Sequence, residues 1–171
     1  MSERISAGFG SGDHVDIDGF LKYSLQVQNR RKSRMGRSFE HHLEAVFRAI
    51  GLTFEVQVRT EQGNTADFLF PGNAAYHDPE FPADRLTMLA AKSSCKDRWR
   101  QVLPEAGRIW PKHLITLEPA ISAAQLDQMR AERLQLVVPQ SLHETYERRQ
   151  AEWLMTTADF VGFVRERAKL R

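Results

Sequence analysis

Three charged residues stand in surroundings where charge needs a reason. Asp67 directly precedes Phe68-Leu69-Phe70, Lys92 closes the apolar run Leu86-Thr87-Met88-Leu89-Ala90-Ala91, and Glu105 follows Lys92 by 13 residues. A carboxylate and a lysine at the ends of neighbouring strands suit metal-assisted hydrolysis of a phosphodiester. Carboxylate oxygens are hard ligands for Mg2+, which keeps several of its waters. The metal lowers the pKa of a bound water and stabilises charge that builds on the transition state. A lysine ammonium beside the scissile phosphate adds electrostatic stabilisation and orients the attacking water. The 25-residue separation of Asp67 and Lys92 is by itself equally what two strands ending in solvated charges would give.

A second group of residues has the chemistry of nucleic-acid contact. In the triplet Lys96-Asp97-Arg98, Lys or Arg donors match guanine O6 and N7, and an Asp acceptor matches the cytosine N4 amino group. A helix start with solvated charge carries the same residues. Arg100 and the dense run Arg30, Arg31, Lys32, Arg34 and Arg37 suit phosphate contacts, which position a protein without specifying sequence. The run also suits a solvated helix end. Cys95 lacks the neighbouring histidines that a thiol nucleophile needs and reads as small buried filler. His41-His42 reads as a solvated helix surface, and Trp99 and Trp110 as core.

These residues must be positioned by regular elements, and the hydrophobic pattern supplies them. Phe20, Leu21, Ser24 and Val27 recur at helical spacing after Asp18, a possible cap. A second helix is expected from a Ser38 cap, with Phe39, Leu43, Val46, Phe47 and Ile50 on one face and Gly51 as its stop. Glu40 and Glu44 lie one turn apart near the edge of that face. Phe54, Val56 and Val58 then alternate with polar residues as a half-buried strand would. Glu61-Gln62-Gly63-Asn64 reads as a turn, Ala66–Phe70 as a second strand ended by Pro71-Gly72, and Leu86–Lys92 as a central third strand. Trp99, Val102, Ala106 and Ile109 fit one helical face, although Pro104 inside it would cost about 3 kcal/mol. A strand His113–Leu117, a helix capped by Ser122, a strand Leu134–Val138 and a helical C-terminal stretch broken near Thr156-Thr157 complete the pattern. The order α-α-β-β-β-α-β-α-β-α predicts an α/β fold, a mixed central sheet flanked by helices.

Composition bounds the class. The 171 residues carry 24 basic and 22 acidic side chains, a net charge of +2, with 42% hydrophobic residues, as expected of a globular chain with a core. No apolar run approaches the roughly 20 residues that span a bilayer, so no membrane partner is expected. The polar, Gly-rich stretch Met1–Asp18 lacks a signal peptide's apolar centre. A single cysteine excludes an intrachain disulfide and multi-cysteine zinc sites and fits a reducing cytoplasm. Near-neutrality averages two opposite tendencies. Acidic residues gather at Asp13, Asp16 and Asp18 and at the proposed metal site, while basic residues concentrate at 30–37 and 96–100. A polarised protein whose DNA binding weakens with salt is expected.

Thr65-Ala66-Asp67-Phe68-Leu69-Phe70-Pro71, Ala75-Tyr76-His77-Asp78, Met88-Leu89-Ala90-Ala91-Lys92 and Cys95-Lys96-Asp97-Arg98-Trp99-Arg100-Gln101 occur in order. Together, and with Leu136-Val137-Val138-Pro139 and Ser141-Leu142-His143, they resemble the catalytic C-terminal domain of the EcoRII-like type II restriction endonucleases, whose core is of the PD-(D/E)xK nuclease type. The likeness runs from about Arg31 to Phe160. It divides the chain into a tail and basic helix, 1–34, and a catalytic domain, 35–171.

The resemblance implies roles. The acid that usually lies two residues before the nuclease lysine is Ala90 here, and the subfamily replaces it with a glutamate further on, where Glu105 stands. Asp67 and Glu105 are then metal ligands, the Ala91 carbonyl a possible third, and Lys92 the catalytic lysine. Glu40 matches an accessory acid that engages the metal's water shell, with Glu44 the competing assignment. Tyr76 lies in a loop that matches the family near its site. Lys96-Asp97-Arg98 matches the triplet that reads C·G pairs in sites built on CC and GG. The implied activity is Mg2+-dependent cleavage of double-stranded DNA at a site such as CCWGG, by a homodimer, with a cognate methyltransferase acting on the same site. Two rivals stay open. One is a structure-specific repair or junction nuclease with this core. The other is an inactive DNA-binding protein in which Pro104 displaces Glu105. The family's large N-terminal effector domain has no counterpart in this sequence, so no effector-site requirement is expected.

Overall fold

The computed structural model describes residues 10–11, 14–15 and 17–169. Asp13, Asp16 and most of the expected N-terminal tail lie outside these residues. The chain forms two compact units, Met1–Ser38 and Phe39–Arg171. The sequence expectation placed this boundary between residues 34 and 35.

In the first unit, β1 (Gly10–Ser11) pairs antiparallel with β2 (His14–Val15). Helix α1 then runs from Ile17 to Ala49 without interruption, where the sequence suggested two helices. Ser38 is therefore inside a helix and caps nothing. The 33 residues contain no proline, and Gly36 alone costs only about 1 kcal/mol against Ala, too little to end a helix. The side chains of Arg30, Arg31, Lys32, Arg34 and Arg37 are exposed, and so are Phe20 and Leu21, which were expected on an apolar face.

In the second unit, α1 buries Phe39, Leu43 and Phe47. Val46 and Ile50, expected on the same face, are 49% and 37% exposed. The apolar stripe is thus narrower than its spacing suggested. Gly51, in the left-handed region at φ 72°, ends the helix, and the Leu52 amide returns to the Phe47 carbonyl at 3.0 Å.

The remaining elements are β3 (Glu55–Arg59), β4 (Thr65–Phe70), α2 (Asn73–His77), β5 (Thr87–Lys92), β6 (Lys112–Thr116), α3 (Ala123–Ala131), β7 (Leu134–Val137), α4 (Arg148–Ala151) and α5 (Thr157–Lys169). The strands form one mixed sheet in the order β3-β4-β5-β6-β7. β3, β4 and β5 are antiparallel, and β5, β6 and β7 are parallel. The sheet is buried on both faces, which is why β5 reads as an unbroken apolar run. Met88 and Ala90 face a core that includes Trp99, Leu114, Leu126 and Leu136. Leu89 and Ala91 face the other core, with Phe47, Phe68, Phe70 and Phe160. Phe47 meets the Phe68 ring edge-on at 5.4 Å and Phe70 at 5.7 Å.

The structure departs from expectation again beyond the sheet. The helix expected directly after Lys92 does not form; the segment makes turns and a short 3-10 helix, Trp99–Val102. Pro104 cannot donate to a helix, and Ala106 takes φ 48°, so the helical spacing of Trp99 to Ile109 reflects burial rather than helix. Trp110 is 37% exposed instead of core, lying between Lys112 and Arg133. The C-terminal stretch resolves into a 3-10 helix Gln140–Thr145, α4 and α5. At the expected break the chain recaps, since the Thr156 hydroxyl accepts from the Asp159 amide at 3.0 Å and Asp159 accepts from the Thr156 amide at 3.0 Å.

Candidate active site

The site forms where β5 exchanges partners. The β4–β5 ladder reaches Phe68↔Leu89, while the parallel β5–β6 ladder runs on to Lys92↔Thr116. One residue beyond the last β4–β5 pair, the Asp67 carboxylate takes over: its Oδ2 accepts from the Ala91 amide at 2.8 Å and from Lys92 Nζ at 2.7 Å. Asp67 is only 7% exposed, so its ion pair with Lys92 is formed mostly away from water. The ammonium and the Ala91 N–H together satisfy one carboxylate oxygen and fix the rotamer. Ala91 thus stands beside Asp67 through its amide.

Glu105 faces the same pair from an irregular turn. It is 7% exposed, and its Oε2 is buried with no hydrogen-bond partner among the described residues. Burial pushes its carboxyl up to about 7, the charge of Lys92 opposes that shift and the charge of Asp67 adds to it. With Pro104 before it, the Glu105 carboxylate still lies in the field of both Asp67 and Lys92. The turn is held from below by Lys112, a completely buried side chain at the start of β6. Its ammonium donates to the carbonyls of Glu105, Ala106 (2.9 Å) and Ile109 (3.4 Å). Burial brings that ammonium down to about 8, while Glu105 and Glu61 favour its charge.

Glu40 approaches from α1, and Glu44 does not. Glu44 Oε1 accepts from Arg48 at 2.5 Å, one turn along the same helix. Glu40 instead accepts from Gln57 Nε2 at 3.2 Å, and the same amide donates to Asp67 Oδ1 at 3.2 Å. Burial and then the Asp67 charge raise the Glu40 pKa, with Lys92 pulling it down. Tyr76 is placed elsewhere. It is buried, its hydroxyl donates to Glu61 Oε1 at 2.5 Å, and its carbonyl accepts from Arg108. Burial, reinforced by Glu61, holds the Tyr76 phenol well above its ordinary value. Glu61 Oε2 also accepts from the Gly107 amide at 3.0 Å, so Tyr76 supports the far side of the Glu105 turn without entering the carboxylate cluster.

The triplet Lys96-Asp97-Arg98 lies on an anchored turn. The Cys95 amide donates to Glu118 Oε2 at 3.1 Å, and the Lys96 carbonyl accepts from Gln125 at 2.9 Å. Lys96 Nζ stands 3.6 Å from Glu118, whereas Asp97 and Arg98 are exposed. Arg100 lies over the Trp99 ring at 4.3 Å and donates to Gln128 at 2.6 Å. Cys95 is fully buried and its thiol is pushed up to about 11 by burial, the state of an inert filler. His41 and His42 are exposed on α1.

Two contributors escaped the sequence reading. Gln57 was read as an outward residue of an alternating strand. Lys112 was left outside a strand thought to start at His113. A lysine abutting an apolar strand is the same signal that singled out Lys92, and it marked Lys112 equally.

The donor set fits a divalent cation. Asp67 and Glu105 offer hard oxygens, and the orphaned Oε2 of Glu105 is a buried acceptor in want of a partner. Among the described residues no three His, Cys, Asp or Glu side chains converge on one point. An ion held here by two carboxylates would keep waters in its shell, as Mg2+ characteristically does. No helix among the described residues is long and apolar enough to cross a membrane.

Comparison with known proteins follows the same line. Residues 1–161 match the family described as EcoRII C terminal. The chain is 48% identical over 159 residues to the type II restriction enzyme EcoRII of Escherichia coli, covering 92% of this chain and 38% of that protein. It is 31% identical over 113 residues to the type II restriction enzyme SsoII of Shigella sonnei, covering 58% of this chain and 36% of the relative. The chain therefore spans well under half the length of these relatives. Among solved structures, metal-depleted Ecl18kI in complex with uncleaved, modified DNA matches with a TM-score of 0.73 at 22% identity, over 85% of this chain and 49% of the other. A second complex of metal-depleted Ecl18kI, with uncleaved DNA, gives a TM-score of 0.72 at 21% identity.

Proposed function

Because the chain belongs to the EcoRII C-terminal family, we propose that it is a Mg2+-dependent type II site-specific deoxyribonuclease that hydrolyses phosphodiester bonds of double-stranded DNA. The observation that carries this reading is the 2.7 Å pair of Asp67 and Lys92 beside the unpartnered Oε2 of Glu105. Asp67 and Glu105 would hold the metal, which would acidify a water and screen the phosphate charge. The protein's own residues do the rest. Asp67 is locked in one rotamer by the Ala91 amide. Lys92 holds a positive charge at the carboxylate edge, where a scissile phosphate and its attacking water can be met. Glu40 supplies an acceptor for water from the opposite side of Asp67.

Recognition is assigned to Lys96, Asp97 and Arg98, reading a site that contains CC and GG, such as CCWGG. Arg100 and the α1 run Arg30, Arg31, Lys32, Arg34 and Arg37 are assigned to phosphates. One chain carries one such carboxylate–lysine cluster, so cutting both strands calls for a homodimer on a near-palindromic site. A cognate methyltransferase protects that site in the host cytoplasm, where the single reduced cysteine is at home.

Incubation with a plasmid of known sequence and Mg2+ tests the reading. Discrete fragments ending at one sequence, abolished by chelation of the metal, are expected. Smearing or cleavage only at branched junctions overturns the sequence-specific reading, and tight binding without cutting overturns the enzymatic one.

A further inference from the structure

Strand β3 is broken at one residue, and that residue reaches the site. In the β3–β4 ladder Glu55↔Leu69, Val56↔Phe68, Val58↔Ala66 and Arg59↔Thr65 are paired, and the position opposite Asp67 is skipped. Gln57 occupies that position with φ 51°, in the left-handed region that a side chain with a Cβ rarely adopts. The constant register on both sides shows that no residue has been inserted, so a β-bulge does not account for the conformation. Glycine would fill such a position at no steric cost, yet glutamine stands there. Its amide donates one hydrogen bond to Glu40 Oε2 and one to Asp67 Oδ1, both at 3.2 Å.

We infer that Gln57 is a positioning residue of the nuclease site, its side-chain amide bridging Glu40 to Asp67 so that both carboxylates present fixed oxygens to the reacting centre. The inference rests on the nuclease reading above. A primary amide suits this place on chemical grounds. It has two N–H donors for two acidic side chains, and it adds no charge that would compete with Lys92 or with a bound cation. Asp67 is thereby fixed through both oxygens: Oδ2 by Ala91 and Lys92, Oδ1 by Gln57. Glu40, carried by a different element, is brought into register with it. Gln57 lies on an edge strand and is exposed, so its replacement leaves the core untouched.

The conformation makes a discriminating variant available. Gln57→Gly relieves the left-handed backbone while deleting the bridge, so melting temperature should hold or rise while the cleavage rate at saturating DNA falls by about tenfold or more. The DNA KM should stay within about twofold, and the Mg2+ concentration for half-maximal rate should rise. A strand residue with a merely structural role would give the opposite pattern, cleavage retained with stability. A second measurement needs neither metal nor cutting. The Gln57 side-chain amide protons should exchange slowly in the free wild-type protein by NMR, and faster in Glu40→Ala. Fast exchange in the wild type, or wild-type cleavage by Gln57→Gly, overturns the bridge while the nuclease reading stands. A wild-type protein that does not cut overturns the nuclease reading, and the positioning role of Gln57 with it.

Discussion

Lys112 reaches up from the first residue of β6 and donates its ammonium to the main-chain carbonyl of Glu105. A buried ammonium with carbonyl acceptors on one turn acts as a peg, and the peg sits under the residue that the donor chemistry assigns to the metal. Lys112→Met keeps the length of the side chain and removes its donors, leaving the carbonyls of Glu105 and Ile109 without them, while Ala106 keeps the Ile109 amide. Each buried acceptor so abandoned costs about 1–3 kcal/mol before relaxation. We expect urea denaturation to show a loss of about 2–4 kcal/mol, and cleavage at low temperature, where the variant is still folded, to need more Mg2+. A variant of wild-type stability and metal requirement would show that the peg does not position Glu105.

Lys92 occupies the opposite side of the cluster and makes a different prediction. Its ammonium is the positive charge bonded to Asp67, and its side chain is 19% exposed, open enough for a phosphate to approach. Lys92→Ala should leave DNA binding in a gel-shift assay nearly unchanged and reduce cleavage by at least about 10²–10³-fold, the scale of losing one preorganised electrostatic donor. Retained cleavage would remove Lys92 from the mechanism.

The sequence disclosed the sheet more fully than it disclosed the site. β4, β5 and β7 were legible because their side chains are buried on both faces and no competing period interrupts them. The segment after Lys92 misled for a physical reason: Trp99, Val102, Ala106 and Ile109 are buried at helical spacing. Their backbone is fixed by Pro104, by the left-handed Ala106 and by contacts from Lys112 and Glu61, none of which a local pattern contains. Asp67, Lys92 and Glu105 stood out as charges in apolar surroundings. Gln57 could not, because a polar residue between Val56 and Val58 is what any solvent-facing strand position looks like. Its role depends on a left-handed φ and on Glu40, 17 residues away on another element.

His113 makes stability depend on pH. It is 1% exposed, packed between Phe160 and Phe163 and against the Met88 backbone, whose hydrogen bonding only partly opposes the effect of burial. Burial, with the Arg167 charge adding to it, pushes its pKa down to about 3 from 6.5. The folded state therefore keeps His113 neutral over a range where the unfolded chain takes up a proton. Stability from this group is intact above about pH 6.5 and is lost as pH falls toward 3, by up to about 1.4 kcal/mol per unit. His113→Phe should flatten the acid limb of a stability-against-pH curve between pH 6 and about 4. An unchanged slope would mean that other groups set it.

Arg98 and Arg100 sit two residues apart on the anchored turn and should behave differently. Arg98 is exposed, and the contact described for its guanidinium is a 3.3 Å bond to the Ser94 carbonyl, easily exchanged for a base edge. Arg100 is held by Gln128 at 2.6 Å and by the Trp99 ring, which fixes it as a charge without freeing a fork for bidentate reading. Arg98→Ala should therefore lower affinity for the cognate site by about 1–3 kcal/mol and relax discrimination at one C·G pair, with little effect on non-cognate binding. Arg100→Ala should weaken binding to all duplexes by similar amounts and reduce the slope of log K against log salt by about 1. Binding titrations on cognate and single-substituted duplexes at several salt concentrations separate the two. If both variants lost affinity uniformly across sequences, Arg98 would be a phosphate contact, and base reading would have to be sought elsewhere on this turn.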